Sequence, residues 1–313
     1  MMLKEKSIIR GIRKAASRQS HRGNLGIGDD CAVIRLPRGH EALVTTDFSL
    51  EDMHFRRTWH PADSVGHRCL ARGLSDIAAM GGIAQAAFLS LALPRALPYK
   101  WINGFLRGLL RLADHSQVLL AGGDTAQSQG GILADIVVLG SIPMGKAILR
   151  SGARPGDLLY VSGTLGGSAA TLDELRRGKQ LRPRSHPKHF YPEPRLAVGR
   201  YLREKNLASA MIDISDGLST DLGHICEESG TGAVVYVNSL PKANPDVQTD
   251  FVLHGGEEYE LLFTAHPDQH IPKQIAGVPI ALIGEITAGK QMKLAKTNGK
   301  TTVLRPGGWQ HFR

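Results

Sequence analysis

The sequence predicts an α+β protein built from two domains, on three observations. Its 313 residues, 42% of them hydrophobic, suit one large domain or two of ordinary size with a real core. Segments with helical apolar spacing recur between apolar runs of strand length along the whole chain. Near the midpoint, RSGARPGDLLYVSG (150–163) joins glycine and proline punctuation to the start of a new strand. The expected division is therefore 1–149 and 150–313, two α+β halves with mixed or antiparallel sheets flanked by helices.

In the first half, residues 3–18 place Leu3, Ile8, Ile12 and Ala15 against lysines and arginines, the pattern of an amphipathic helix. DCAVIRL (30–36) and EALVTTDF (41–48) predict two strands joined by the turn PRGH. DSVGHRCLARGLSDIAAMGG (63–82) predicts a helix, capped by Asp63 or Ser64 and ended by Gly81 and Gly82. AQAAFLSLALP (84–94) follows as a strand, and KWINGFLRGLLRLADHS (100–116) as a helix with leucines at helical spacing. QVLLAGGDT (117–125) and ILADIVVLGSI (132–142) complete the half as strands.

In the second half, DLLYVSG (157–163) is a strand and GGSAATLDELRRG (166–178) a helix start. The Pro- and His-rich segment 182–194 predicts an exposed loop, long and polar enough to serve as a lid. RLAVGRYLREKN (195–206) predicts a helix, SAMIDIS (209–215) a strand, and GLSTDLGHICEESG (217–230) a helix ending at Gly230. The remainder is strand-rich, through AVVYVNSL, GGEEYELLFTA and PIALIGEIT. LSDIAAMGG and ISDGLSTDLG echo each other once per half, an apolar-Ser-Asp step beside a helix.

Composition narrows the function. The net charge of +9 favours anionic partners, phosphorylated small molecules among them. The basic residues are scattered, and RPRSHPKH (182–189) reads as a solvated loop, so nucleic-acid binding is not expected. Three isolated cysteines, Cys31, Cys69 and Cys226, lack any paired spacing for zinc or a redox dithiol and fit a reducing, cytoplasmic setting. The charged start MMLKEKSIIRGIRKAA is not a secretory signal, and no run approaches the length of a membrane span.

The chain has no GxxxxGK[ST] loop, GxSxG, HExxH or kinase HRD/DFG pair. GTLGGS (163–168) reads either as a turn opening a helix or as a phosphate cradle. What recurs is aspartate at strand ends beside Gly, Ser or Thr. GIGDD brings Asp29 and Asp30, TTD brings Thr45, Thr46 and Asp47, LSD brings Asp76, GGDT brings Asp124, and IDISD brings Asp213, Ser215 and Asp216. Each has an ordinary alternative: Asp76 can pair with Arg72 one turn earlier, Asp216 can cap the helix after it, and Asp124 can sit in a tight turn. Together they are hard oxygen donors that would repel one another without a cation, a pattern that suits magnesium and polyphosphate chemistry.

Taken in order, GIGDDCAVI, TTDFSLEDMHF, GLSDIAAMGG, AGGDT, LRSGARPGDLLYVSG, IDISDGLSTDLGHI and LHGGEEYELLFT resemble the thiamine-monophosphate kinase family, within the aminoimidazole ribonucleotide synthetase-like superfamily. The resemblance covers nearly the full chain. It implies two domains of that superfamily's type. The N-terminal one would carry the dimer contact and the metal/ATP site, the C-terminal one the nucleotide and substrate contacts. It implies ATP-dependent phosphorylation of thiamine monophosphate to thiamine diphosphate, several Mg2+ ions, a homodimer, and neither nucleic acid nor membrane as partner.

Carried over motif by motif, it implies a metal shell of Asp30, Thr45, Thr46, Asp47, Asp76, Asp124, Asp213 and Asp216, with Asp30, Asp47, Asp76 and Asp213 catalytic. It implies ATP contacts from Gly123, Asp124, Arg150 and Ser215, and substrate contacts from His54, Glu257 and Trp309. Two motifs depart from the family: GGEDYEL appears here with Glu258, and VEG appears as LED, with Glu51. Because successive strand residues face opposite ways, Asp30 is the expected ligand while Asp29 serves the glycine turn, a second metal or a neighbouring backbone amide, with Cys31 and Val33 as packing. The expected chemistry is direct in-line transfer without a phosphoenzyme. The rival readings are another ATP-using enzyme of the superfamily, or a non-catalytic nucleotide-binding regulator.

Overall fold

Residues 5–16, 26–27, 31–296 and 299–310 are described in the computed structural model; Asp29 and Asp30 lie outside them. The chain falls into two compact units. One holds residues 1–77, 83–145 and 180–191; the other holds 78–82, 146–179 and 192–313.

The first unit is built on a four-stranded sheet. The helix α1 (Glu5–Ala16) comes first, then β1 (His40–Leu50), the long helix α2 (Ala62–Ala79), β2 (Ile83–Pro94), α3 (Tyr99–His115), β3 (Leu119–Ser128) and β4 (Leu133–Pro143). The strand order is β1-β4-β2-β3, with β3 parallel to β2 and the other pairs antiparallel. Alternation along β4 shows the two faces: Ala134, Ile136 and Val138 are fully buried, while Asp135, Val137 and Leu139 are only half-buried. The buried face carries α2, whose Gly73 lies so close to Val138 that a Cβ would fall 2.6 Å from it. The two helices are also packed tightly on each other, since a Cβ on Gly66 would meet the Phe105 carbonyl oxygen at 1.9 Å. The opposite face is apolar and open at Val44 (67% exposed) and Phe48 (56% exposed).

Three expectations fail in this unit. Residues 31–37 do not form a strand paired with β1; only Ile27 and Val33 make isolated bridge positions. Cys31 is exposed and Val33 is 52% exposed, whereas Ala32 and Ile34 pack against Ala86, Leu119 and Ala121. The alternation was read one residue out of step, which exchanges inside for outside. The segment 182–194 is not an exposed loop either. It forms a 3₁₀ turn (Pro183–Ser185) and the short helix α5 (Pro187–Phe190), and it buries His189 and Phe190. Finally, Ser64 does not cap α2: that helix begins at Ala62, and the Ser64 hydroxyl donates to the Phe190 carbonyl at 2.8 Å.

The second unit is an eight-stranded mixed sheet. It runs through β5 (Leu158–Ser162), α4 (Gly167–Arg176), α6 (Leu196–Glu204), β6 (Ala210–Asp213), α7 (Leu218–Ser229), β7 (Gly232–Tyr236), α8 (Thr249–His254) and β8 (Leu261–Ala265). It then closes with β9 (Gln274–Ile275), β10 (Val278–Thr287), β11 (Met292–Ala295) and β12 (Thr301–Val303). The order is β12-β11-β7-β10-β5-β8-β6, with β9 on β10 and, among the described residues, only the β11–β7 pair parallel. One face is packed by α7 and α8 through Leu218, Leu222, Ile225, Val252 and Leu253. The other is packed by α6 through Val198 and Leu202 with Met211, Leu261 and Phe263.

Candidate active site

In the first unit the acids gather on the middle of β1. Thr45 and Asp47 share the face covered by α2, and the Thr45 hydroxyl donates to Asp76 on that helix. Arg72, one turn before Asp76, sends its guanidinium to the Phe48 carbonyl at 2.6 Å. Asp47 is pushed up to about 7, first by burial, then by Asp76 and Asp135, with Arg72 acting against the rise. Its Oδ2 is buried and has no hydrogen-bond partner among the described residues. A buried carboxylate oxygen without a donor is costly unless a cation meets it. These residues therefore fit a magnesium ion: hard oxygen donors, crowded negative charge and one unsatisfied oxygen.

Thr46 faces the other side of the sheet, where its hydroxyl donates to Asp135 at 2.7 Å. Across that face Phe48 pairs with Asp135, Asp135 with Ser90, and Ser90 with Asp124. Asp124 thus stands three strand spacings from Phe48, about 14 Å across the sheet, and Thr46 lies two residues further along β1. Gly123 and Asp124 lie inside β3 rather than in the expected tight turn; the Gly123 φ is +143°, and a Cβ there would lie 1.8 Å from the Leu89 carbonyl oxygen. The Asp124 carboxylate accepts the Thr125 N–H at 2.8 Å. His54 sits in the turn after β1, its Nδ1 accepting the Leu50 N–H at 3.0 Å, so its neutral ring carries the proton on Nε2. Glu51, from the departing LED, binds the Ile132 N–H at 2.9 Å and pairs with Arg57.

In the second unit the turn after β6 organises the remaining residues. Asp213 is the buried last residue of β6. The Ser215 carbonyl accepts the Glu257 N–H at 2.7 Å, and the Asp216 carbonyl accepts the Trp309 N–H at 3.0 Å. The turn thereby gathers Asp213, Ser215, Asp216, Glu257 and Trp309. Glu257 and Tyr259 take left-handed backbone angles (φ +59° and +52°), a strained conformation that clusters at functional sites. Arg150 is exposed at the start of a 3₁₀ turn, and the preceding Leu149 carbonyl accepts the N–H of Met211, two residues before Asp213. Asp216 does not cap α7, whose N-cap is Gly217. Glu258 accepts the Ser168 N–H at 3.0 Å, which makes GTLGGS a helix start already served by a protein carboxylate.

The sequence reading missed several residues. Asp135 is one. Asp221, in the first turn of α7, is another: it accepts the N–H groups of Asp216 (3.2 Å) and Gly217 (2.9 Å). It is pushed up to about 8 by burial first, then by Asp213 and Asp216. Ligand atoms of Asp216, Asp221 and His224 all lie within 4.8 Å of one another. Glu260 is the third, buried and gripped by Arg195 through two 2.7 Å bonds. Among these only Asp221 offered a signal that could have found it, an acid in the first turn of the helix predicted over 217–230.

The two halves match known domains. Residues 28–142 match the AIR synthase related protein, N-terminal domain, and residues 154–296 its C-terminal domain. Thiamine-monophosphate kinase of Salmonella typhimurium is 37% identical over 303 residues, covering 92% of this chain and 91% of that protein. The chain belongs to the thiamine-monophosphate kinase family. As a member it is an enzyme of the kinase class, with the two-domain α+β fold read from the sequence. The family's solved structures resemble it throughout. Thiamine-monophosphate kinase from Stenotrophomonas maltophilia K279a superposes with a TM-score of 0.83 at 33% identity, covering 96% of this chain and 99% of that one. AaThiL complexed with AMPPCP and TMP superposes with a TM-score of 0.79 at 28% identity, covering 99% of both. Among the described residues no helix is long and apolar enough to cross a membrane.

Proposed function

We propose that the protein transfers the γ-phosphoryl group of ATP to thiamine monophosphate, giving ADP and thiamine diphosphate, by direct in-line displacement with several magnesium ions. The bond between the γ-phosphorus and its bridging oxygen breaks as a phosphate oxygen of thiamine monophosphate bonds to that phosphorus. The acceptor phosphate is mostly dianionic near neutral pH, its second pKa being about 6, so no strong general base is required. The observation that carries the magnesium reading is the buried, donorless Oδ2 of Asp47 beside Asp76 and Thr45.

In the first unit Thr45, Thr46, Asp47, Asp76 and Asp124 hold magnesium, with Asp30 joining them from the sequence. In the second unit Asp213 and Asp216 do so. When bound, magnesium neutralises charge on the transferring phosphoryl group. The chain's own task is alignment. Arg150 offers a planar fork to phosphate oxygens, Gly123 and Ser215 offer close backbone and hydroxyl approach, and His54 and Glu257 hold the acceptor. Trp309, 43% exposed, is open to stack on a flat cationic ring such as thiazolium.

The reading includes a cytoplasmic homodimer joined through the first unit. The open apolar face with Val44 and Phe48 supports it, since such faces mark association surfaces.

The test is a coupled assay of ATP consumption with thiamine monophosphate, thiamine and aminoimidazole ribonucleotide precursors as separate acceptors. Consumption only with thiamine monophosphate is expected. Turnover with another acceptor alone, or none at all, would overturn the reading.

A further inference from the structure

Asp135 is out of place by composition. It interrupts the apolar strand Leu133–Pro143, on a face where Val44, Phe48, Val137 and Leu139 surround the polar row of Thr46, Ser90 and Asp124. Register fixes its surroundings: it pairs with Phe48 on one side and Ser90 on the other, and it accepts the Thr46 hydroxyl proton at 2.7 Å. A hydroxyl has one proton and two lone pairs. With the proton committed to Asp135, the Thr46 lone pairs must point away from it, the orientation a hydroxyl needs to donate to a cation. The neighbouring hydroxyl repeats the device on the other face, since Thr45 donates its proton to Asp76.

We propose that Asp135 is a positioning residue that orients the Thr46 hydroxyl as a metal ligand. This rests on the magnesium reading of Thr46 and goes beyond it by assigning a role to a carboxylate that the motifs do not contain. Outer groups that hydrogen-bond a ligand commonly set metal affinity by 10- to 100-fold when removed. The role depends on acceptance of a hydrogen bond rather than on charge, which separates the two conservative variants. Asn keeps a carbonyl oxygen for the Thr46 proton; Ala keeps nothing.

The test measures Mn2+ binding by the full-length protein with a non-hydrolysable ATP analogue, together with thermal melting, for D135A, D135N, T46V, T46V/D135A and D47N. D135A should weaken Mn2+ binding about tenfold at nearly unchanged melting temperature, and D135N by no more than about twofold. T46V/D135A should bind like T46V alone, because the two residues act as one unit. Wild-type binding by D135A, equal losses in D135A and D135N, or additive losses in the double variant would each overturn the proposal. D47N separates the layers. Loss in D47N with a silent D135A sinks only the role of Asp135, whereas unchanged binding by D47N sinks the magnesium reading beneath it.

Discussion

Each unit buries one carboxylate among others, and the two are satisfied in opposite ways. Asp47 in the first unit and Asp221 in the second are both pushed well above the carboxylate range, to about 7 and about 8, chiefly by burial and then by neighbouring aspartates. Asp221 spends one oxygen on two backbone N–H groups at the start of α7. Asp47 has an oxygen with no donor at all among the described residues. A carboxylate held by backbone donors does structural work, here bracing the turn that lays out Ser215 and Asp216. One without donors is costly to bury unless a cation meets it, which is the role proposed above for Asp47. The raised pKa is common to both carboxylates; what differs is the hydrogen-bond account of their oxygens.

The largest expected effect comes from removing the donorless side of this pair. Asp47→Asn or Asp76→Asn should lower kcat/KM about 10³-fold, about 4 kcal/mol, in the thiamine monophosphate assay. Near-normal turnover at saturating magnesium would break the comparison. Next is Gly123→Ala, which places a Cβ against the Leu89 carbonyl oxygen at a left-handed angle. It should cost about 3 kcal/mol in urea unfolding.

A smaller effect sharpens the Asp221 side. Its native pKa of about 8 lies above its ordinary 3.8, so the native state keeps a proton that the unfolded chain releases. Its contribution is therefore full below about pH 4 and is lost as pH rises through about 8. Asp221→Asn, which keeps an acceptor oxygen without titrating, removes that slope. Wild type should lose stability relative to this variant between about pH 5 and about pH 8 in paired urea titrations, and a gap independent of pH would contradict the assignment. The smallest effect is expected from Trp309→Ala, which should raise the KM for thiamine monophosphate about tenfold with less change in kcat.

Much of this was legible in the chain itself. The repeated step from an apolar run to an acid, as in TTD, GGDT and IDISD, singled out the candidate ligands, although of these only Asp213 ends a strand: Thr45–Asp47 lie in the middle of β1 and Asp124 inside β3. Asp135 was not legible because ILADIVVLG reads as an ordinary alternating strand; only the β1–β4 register puts it beside Thr46. Asp221 hid within a regular helix start. CAVI looked like a strand because its residues favour one, yet a strand needs a partner, and this segment packs by Ala32 and Ile34 instead. RPRSHPKH looked solvated because six of its eight residues are polar or basic, while tertiary contact with Ser64 and Arg68 draws His189 and Phe190 inside.

The most direct test of the contrast between Asp47 and Asp221 is an anomalous difference map from crystals grown with Mn2+ and a non-hydrolysable ATP analogue. A peak within about 2.5 Å of Asp47 Oδ2, with none at that distance from Asp221, is the predicted result. A map with no peak at Asp47 Oδ2 would contradict it.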